Sequence, residues 1–269
     1  RSRRRPWRRI RAHAGACQIA GMAVTVIPLS HTAEPRGIGR DRYAALRAQG
    51  ENLNAQELLQ LAMASFCGKV AIISAFAAES VVLLHLAAQI DPTTPVLFLN
   101  THKLFGETMR YRDRLQETLG LTDIRSVGPH PDDRRAQDPE GTLWSRDPDA
   151  CCHFRKVVPL RRALAGFDAI VTGRKRFQTA ERATMHKVEL VEGRVRFNPL
   201  VDWSLPDLIA YMDEHRLPKH PLINDGYPSI GCIPCTRRVA AGQGYRDGRW
   251  AGSDKVECGI HSGVDGEGI

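Results

Sequence analysis

Residues 69–90 read KVAIISAFAAESVVLLHLAAQI, and no other stretch constrains the fold as strongly. A short apolar, β-branched run over residues 70–74 is followed by a turn of small residues and an apolar helical stretch over residues 80–89. A strand whose apolar residues run on without alternation is covered on both faces, which is the situation of a parallel sheet with helical crossovers. PVLFLNT repeats the buried-strand pattern after Pro95, ETMRYRDRLQETLG is an amphipathic helix ended by Gly120, and residues 124–127 supply a third strand. CCHFRKVVPLRRALAG reads as a helix despite Pro159, and FDAIVTG as a strand running into the basic turn GRKRFQT. Strands alternating with helices predict an α/β fold, a parallel sheet flanked by helices.

Outside this repeat of strand and helix the signals are local. Asn54 followed by Glu57 caps a helix, Ser204 followed by Asp207 caps another through His215, and KVELVEGRVRFNPL reads as an antiparallel hairpin turning at Glu192-Gly193. Residues 22–50 contain Pro, Gly and Arg without strong periodicity, and residues 128–150 read as a polar loop. From Leu217 the texture changes to Gly, Pro, Arg and Cys, and a loop of that length needs a metal or ligand to order it. The expected organisation is a leader and ill-defined segment over 1–50, an α/β domain over 51–216 and a loop-rich C-terminal segment over 217–269. No internal repeat is present.

The net charge of +8 suggests an anionic partner until its position is considered. Seven arginines and no acid fall in RSRRRPWRRIR, residues 1–11, so the rest of the chain is nearly neutral. Such a leader suits a nucleic-acid arm or a transit-type segment; because residue 1 is not Met and Met22 opens a more ordinary sequence, a segment foreign to the folded domain is preferred. Nucleic acid is therefore not an expected partner, whereas homo-oligomerisation stays open. No apolar run reaches the roughly 18 residues that span a membrane. The chain has seven cysteines and no secretory apolar segment, so a reducing cytoplasm is expected, in which cysteines signify metal or reactivity.

Cys151 and Cys152 are adjacent and cannot readily pair with each other, since consecutive Cα atoms lie about 3.8 Å apart and disulfides prefer roughly 5.5 Å. Together with Cys232-Ile-Pro-Cys235 they make four thiolates in two close pairs, the number used by a structural zinc or a four-iron cluster. Adjacent thiolates crowd a single tetrahedron, which favours the cluster, with zinc as the alternative. Cys258, in KVECGIH, has no cysteine partner; it reads as a tail thiol or as a nucleophile whose thiolate nearby cations favour. Cys17 and Cys67 read as structural, the latter as a small buried hydrophobe.

The joint pattern CC, GCIPCTR, YRDGRW and ECGIH resembles the assimilatory adenylyl-sulfate reductases across residues 50–263. The resemblance implies an adenine-nucleotide α-hydrolase-like fold with nucleotide at the C-terminal strand ends. It implies reduction of adenosine 5′-phosphosulfate to sulfite and AMP by thioredoxin, in sulfate assimilation and cysteine biosynthesis. Cys151, Cys152, Cys232 and Cys235 would then hold a [4Fe-4S] cluster that assists electrostatically, and Cys258 would be the nucleophile that forms an S-sulfocysteine. A glycine-bearing tail would carry that thiol as a mobile lid between substrate and thioredoxin.

An anionic substrate needs fixed cations, to which the arginine fork is suited. Lys156, Arg246 and Arg249 match family positions, Arg174 and Arg176 in the basic turn are further candidates, and Arg237 and Arg238 beside the CxxC are weaker ones. SAFAAES resembles the nucleotide loop, which would place Ser74, Ala77 and Glu79 against substrate at a helix start. It departs from the commoner SFSGAED at Ala77 and Ser80, as Asn100-Thr101 departs from LDT and Phe177 stands where an acid is frequent. His261 follows the nucleophile closely enough to contact substrate or tune the thiolate. The rival readings are a 3′-phosphoadenylyl-sulfate reductase, which shares ECGxH but typically lacks the four extra cysteines, a tRNA-thiolating enzyme of related fold, and a zinc-stabilised nucleic-acid module.

Overall fold

The structure, a computed structural model, describes residues 38–261; the arginine-rich leader and Cys17 lie outside the described residues. Six strands form one sheet: β1 (Val70–Ser74), β2 (Val96–Leu99), β3 (Ile124–Val127), β4 (Ala169–Thr172), β5 (Val188–Val191) and β6 (Arg194–Phe197). Their order is β3-β2-β1-β4-β6-β5, and every pairing is parallel except β5 with β6. The nine α-helices among the described residues are α1 (Arg40–Glu51), α2 (Ala55–Ser65), α3 (Ser80–Ile90), α4 (Gly106–Leu119), α5 (Pro131–Gln137), α6 (Leu143–Arg146), α7 (Pro148–Cys152), α8 (Val158–Ala163) and α9 (Leu205–Glu214).

The apolar strands are buried on both sides, as their composition requires. Ile72, Phe98, Val171 and Phe197 face a core that includes Leu58 and Leu59 of α2, Leu84 of α3 and Leu208 of α9. Ile73, Leu97, Leu99 and Ile170 face the opposite core, with Leu160 and Leu164 on and just after α8. Each such fully buried aliphatic side chain contributes about 1.5–3 kcal/mol relative to exposure. The expected caps form: Asn54 and Glu57 make a reciprocal pair at α2, as do Ser204 and Asp207 at α9. The hairpin turns at Glu192 (φ 50°) and Gly193 (φ 75°), two left-handed residues whose twist suits a two-residue connection.

Several segments differ from their sequence reading. Residues 40–51 form α1 although they show no strong periodicity, because only Leu46 and Gly50 are buried. Gly50 permits the approach: a Cβ there would lie 2.5 Å from Val188 Cγ2 on edge strand β5, which α1 packs against. Residues 128–150 hold α5, α6 and the start of α7 where a loop was expected. The helix expected from Cys151 is interrupted, since α7 passes through a π-turn at His153–Val157 before α8 begins with Pro159 in its first turn. Proline has no N–H to give and its ring clashes with the preceding turn, and the widened turn absorbs both effects. Cys67 is exposed, contrary to its reading as a buried hydrophobe, because it falls in the turn after α2 while the neighbouring Phe66 enters the core. Among the described residues no helix is long and apolar enough to cross a membrane.

From β1 the chain builds outward to β2 and β3, then crosses back to place β4 on the other side of β1. The strand order therefore reverses between β1 and β4, the position at which open α/β sheets form a crevice at their C-terminal strand ends.

Candidate active site

A cavity of about 180 Å³ opens at that reversal, lined by Ser74 at the end of β1 and by Thr172 and Gly173 at the end of β4. Ala77 and Glu79 border it from the loop before α3, and Arg174 from the basic turn. Arg246, Arg249 and His261 close it from the C-terminal segment. These seven expected substrate residues thus share one wall system despite their separation in sequence.

The loop after β1 is held from within. Ser74 Oγ accepts the Phe76 N–H at 3.1 Å, and Phe76 sits in the left-handed region (φ 49°). A bulky residue there costs on the order of 1–3 kcal/mol. Its ring is fully buried and meets Phe98 edge-on at 5.3 Å, which offsets that cost. The first turn of α3 consequently borders the cavity, where the helix dipole favours an anion.

Charge in the cavity is partitioned. Glu79 is buried and ion-paired with Lys175, and it accepts hydrogen bonds from Tyr245 Oη and, at 3.0 Å, from Gln178 Nε2. Its carboxylate ties the α3 loop to two other segments of the cavity wall. Burial holds Lys175 below the ordinary lysine range against the pull of Glu79, and pushes Tyr245 up. Arg174 donates to Glu189 at 2.6 Å and to Asn198 at 3.3 Å; burial, then the nearby Arg196, lower it to about 10. Arg182 grips both oxygens of Glu257, at 2.6 and 2.8 Å. Arg246 donates to the Val256 carbonyl at 3.0 Å, and Arg249 to the Cys235 carbonyl at 3.4 Å with its guanidinium 4.5 Å from the Trp250 ring centre. His261 Nδ1 is enclosed without a hydrogen-bond partner, and burial followed by Arg174, Arg182, Arg196 and Arg246 keep the imidazole well below its ordinary pKa, hence neutral.

Sequence reading missed Lys175, Gln178, Arg182 and Tyr245, all of which line this cavity. Arg176, named as a further candidate beside Arg174, turns away, donating to the Met185 carbonyl at 2.9 Å and pairing with Asp202. Arg237 and Arg238 are exposed and line neither this cavity nor the next. Tyr245 lies inside the YRDGRW motif and could have been singled out there; Arg182 carries no local signal.

A second, smaller cavity is lined by Cys151, Cys152, Cys232 and Cys235, with Lys103, Trp144, Arg155, Lys156 and Pro234. The end of α7 presents the adjacent pair, and a tight turn in which Cys235 N–H donates to the Cys232 carbonyl at 3.0 Å presents the other. Thr101 Oγ1 lies 3.2 Å from Cys232 Sγ. Arg155 is buried, ion-paired with Asp138 and bonded to the Thr101 carbonyl at 3.0 Å, while its Nε has no partner. Burial pushes the Cys151 and Cys235 thiols up, and Cys152 to about 11, so thiolates there require added positive charge. Among the described residues no three of His, Cys, Asp and Glu are arranged around a single metal ion. Four thiols without a competing carboxylate or imidazole, two buried cations and an unpartnered Arg155 donor fit a thiolate-ligated iron–sulfur cluster.

Cys258 lines neither cavity, but it interacts electrostatically with Cys152 and Lys156 of the second. It is half-buried; Glu257 before it is bound to Arg182, and Ile260 and His261 after it line the first cavity. Lys156, expected against substrate, lines the second cavity and not the first. Burial alone would lower its pKa, but Cys258, then Cys232 and Cys152, outweigh burial and hold it above the ordinary lysine value. Its ammonium therefore links the lone thiol electrostatically to the cysteine cluster.

The family model for the phosphoadenosine phosphosulfate reductase domain matches residues 69–238, which end before Arg246 and Cys258. A Mesorhizobium japonicum protein named adenosine 5′-phosphosulfate reductase is 45% identical over 240 residues, covering 88% of this chain and 94% of its own. A Chelativorans protein of the same name is 46% identical over 218 residues, covering 80% and 89%. The crystal structure of phosphoadenylyl-sulfate reductase from Candida auris, a phosphate complex, aligns with a TM-score of 0.64 at 24% identity over 74% of this chain and 98% of that one, a likeness of fold. With the family model matching more than half of the sequence and these relatives most of it, the chain belongs to the phosphoadenosine phosphosulfate reductase family.

Proposed function

We propose that this chain reduces adenosine 5′-phosphosulfate to sulfite and AMP, with thioredoxin as the reductant and Cys258 as the nucleophile. One observation carries the reading: a lone thiol is bracketed by residues that line, or bind the lining of, an arginine-rich cavity at the strand-order reversal. The α/β part over residues 51–216 would bind the nucleotide, and residues 217–269 would deliver the thiol.

The Cys258 thiolate attacks the sulfur of the sulfate group. The S–O bond to the phosphate breaks, its electron pair leaves with AMP, and Cys258 carries the sulfonate. Arg246 and Arg249 face the oxygens on which charge accumulates, and the first turn of α3 takes the phosphate end. His261, neutral, offers a hydrogen bond where a second positive group would be redundant. A thioredoxin thiolate then attacks Cys258 Sγ, sulfite departs with the electron pair, and the second thioredoxin thiol resolves the mixed disulfide. Cys151, Cys152, Cys232 and Cys235 would hold a [4Fe-4S] cluster, which when bound supplies electrostatic assistance and no electrons. The chemistry suits a reducing cytoplasm.

Purified protein mixed with adenosine 5′-phosphosulfate and weighed intact gains one sulfonate, and Cys258→Ser gains none. An adduct that persists in the serine variant sinks the proposal, and iron content measured on the same sample tests the cluster. Running the 3′-phosphorylated nucleotide in parallel separates the two substrates.

A further inference from the structure

Residues 255–257, which lead into Cys258, are held by three different parts of the chain. Lys255 is ion-paired with Asp149 of α7, beside the adjacent cysteines, and the Val256 carbonyl accepts from Arg246 Nη2 at 3.0 Å. Glu257 receives Arg182 Nε on one oxygen at 2.6 Å and Nη2 on the other at 2.8 Å, with Thr179 Oγ1 at 3.4 Å. Of these anchors only the last is a fork, and a fork fixes the rotation of the carboxylate as well as its position. Arg182 is itself immobilised: it is 8% exposed and its Nη1 donates to Gln178, whose amide nitrogen donates to Glu79. A continuous series of contacts thus runs from Glu79, at the entry to α3, through Gln178 and Arg182 to the residue before the thiol.

We propose that Arg182 and Glu257 are a positioning pair, which sets the Cys258 thiol against the sulfur of a nucleotide held by the α3 loop. The inference rests on the reaction proposed above. Arg182 lines the cavity, yet its charge is already matched by Glu257, so its contribution lies in where the thiol sits and not in how tightly the nucleotide binds.

The test uses the full chain with its metal content verified. Adduct formation with adenosine 5′-phosphosulfate is followed in a single turnover by quenched intact mass, and AMP affinity by calorimetry. Glu257→Gln and Arg182→Lys each slow the adduct about 10- to 100-fold, the order expected of a reacting atom displaced by roughly 1 Å, with AMP affinity within about twofold. Because the two residues act through one contact, the double variant is no slower than the slower single one. Full-rate adduct formation in Glu257→Gln overturns the proposal, as do losses that multiply in the double variant or an AMP affinity that falls in step with the rate. Should Arg182→Lys fail to fold, Glu257→Gln, at a side chain 23% exposed, decides alone. Wild-type protein that forms no adduct sinks the reaction and this pair together, whereas a normal wild type with unaffected variants sinks the pair only.

Discussion

Gly231 sits under the Arg249 guanidinium, and replacing it with alanine is a way to move one cavity cation without removing it. A Cβ at Gly231 would lie 2.3 Å from Arg249 Nη2, 2.6 Å from Cζ and 3.0 Å from Nη1, whereas ordinary contact begins near 3.4 Å. The guanidinium must retreat by about 1 Å, a displacement that costs a reacting or binding group up to roughly 100-fold. The obstacle is the far end of a flexible side chain, and alanine also restricts the unfolded chain, so stability should change by no more than about 1 kcal/mol. A hydrogen bond to a charged group contributes about 1.5–3 kcal/mol, and each 1.4 kcal/mol is tenfold, so Gly231→Ala should raise KM for adenosine 5′-phosphosulfate roughly 10- to 100-fold. Steady-state kinetics gives KM and calorimetry gives Tm, with Gly166→Ala as a control at a glycine that has nothing within 4 Å of the added atom. KM within about twofold of wild type at unchanged Tm would show that Arg249 does not carry substrate, and a Tm loss beyond about 4 °C would show that its contact is structural.

Two further outcomes follow from the buried ion pairs. Glu79→Gln strands Lys175, whose side chain is 4% exposed, without its counter-charge, and should cost about 3–5 kcal/mol in urea unfolding; an unchanged midpoint would mean that the pair does not hold the cavity wall. Burial pushes Asp138 up, but its bonds to Arg155 and to the Leu143 N–H outweigh burial and hold it below the ordinary carboxylate range. The stability it supplies is complete above about pH 4 and is lost as pH falls through the depressed value, so Asp138→Asn should be about 3–5 kcal/mol less stable at pH 7 and lack that part of the acid transition, a difference read by unfolding at pH 7 and pH 3.

The β1–α3 unit was legible because the strand is apolar from Val70 to Ile73, an unbroken run that suits a parallel sheet covered on both faces. The hairpin was legible from Glu192-Gly193, and the convergence of the cysteine pairs from their joint order with YRDGRW and ECGIH. By contrast α1 buries only Leu46 and Gly50, which leaves no stripe to detect. The helices of residues 131–152 are four to seven residues long and rest on local caps such as Asp147 accepting from the Ala150 N–H, too short for periodicity to appear. Which cations of the basic turn face the cavity was not legible, because Lys175 pairs with Glu79 inside it while its neighbour Arg176 turns out to Asp202, a matter of backbone dihedrals that composition does not encode. Arg182 and Glu257 lie 75 residues apart and meet only once the tail has folded back over the sheet.

The distribution of counter-ions says which cations of the cavity remain for a substrate. Arg174 has Glu189, Lys175 has Glu79 and Arg182 has Glu257; an anion arriving at any of them would have to displace a carboxylate and would gain little net attraction. Arg246 and Arg249 have no ion-pair partner among the described residues and are satisfied by backbone carbonyls, which occupy their N–H groups without cancelling their charge. The carbonyl held by Arg246 belongs to Val256, two residues before the thiol, and that held by Arg249 belongs to Cys235, in the cysteine-lined cavity. An anion that draws these two guanidinium groups toward the cavity therefore pulls at once on the tail and on the cysteine loop. Substrate occupancy, the placement of Cys258 and the integrity of the four-cysteine site are on this account mechanically linked through two arginines of one motif, three residues apart.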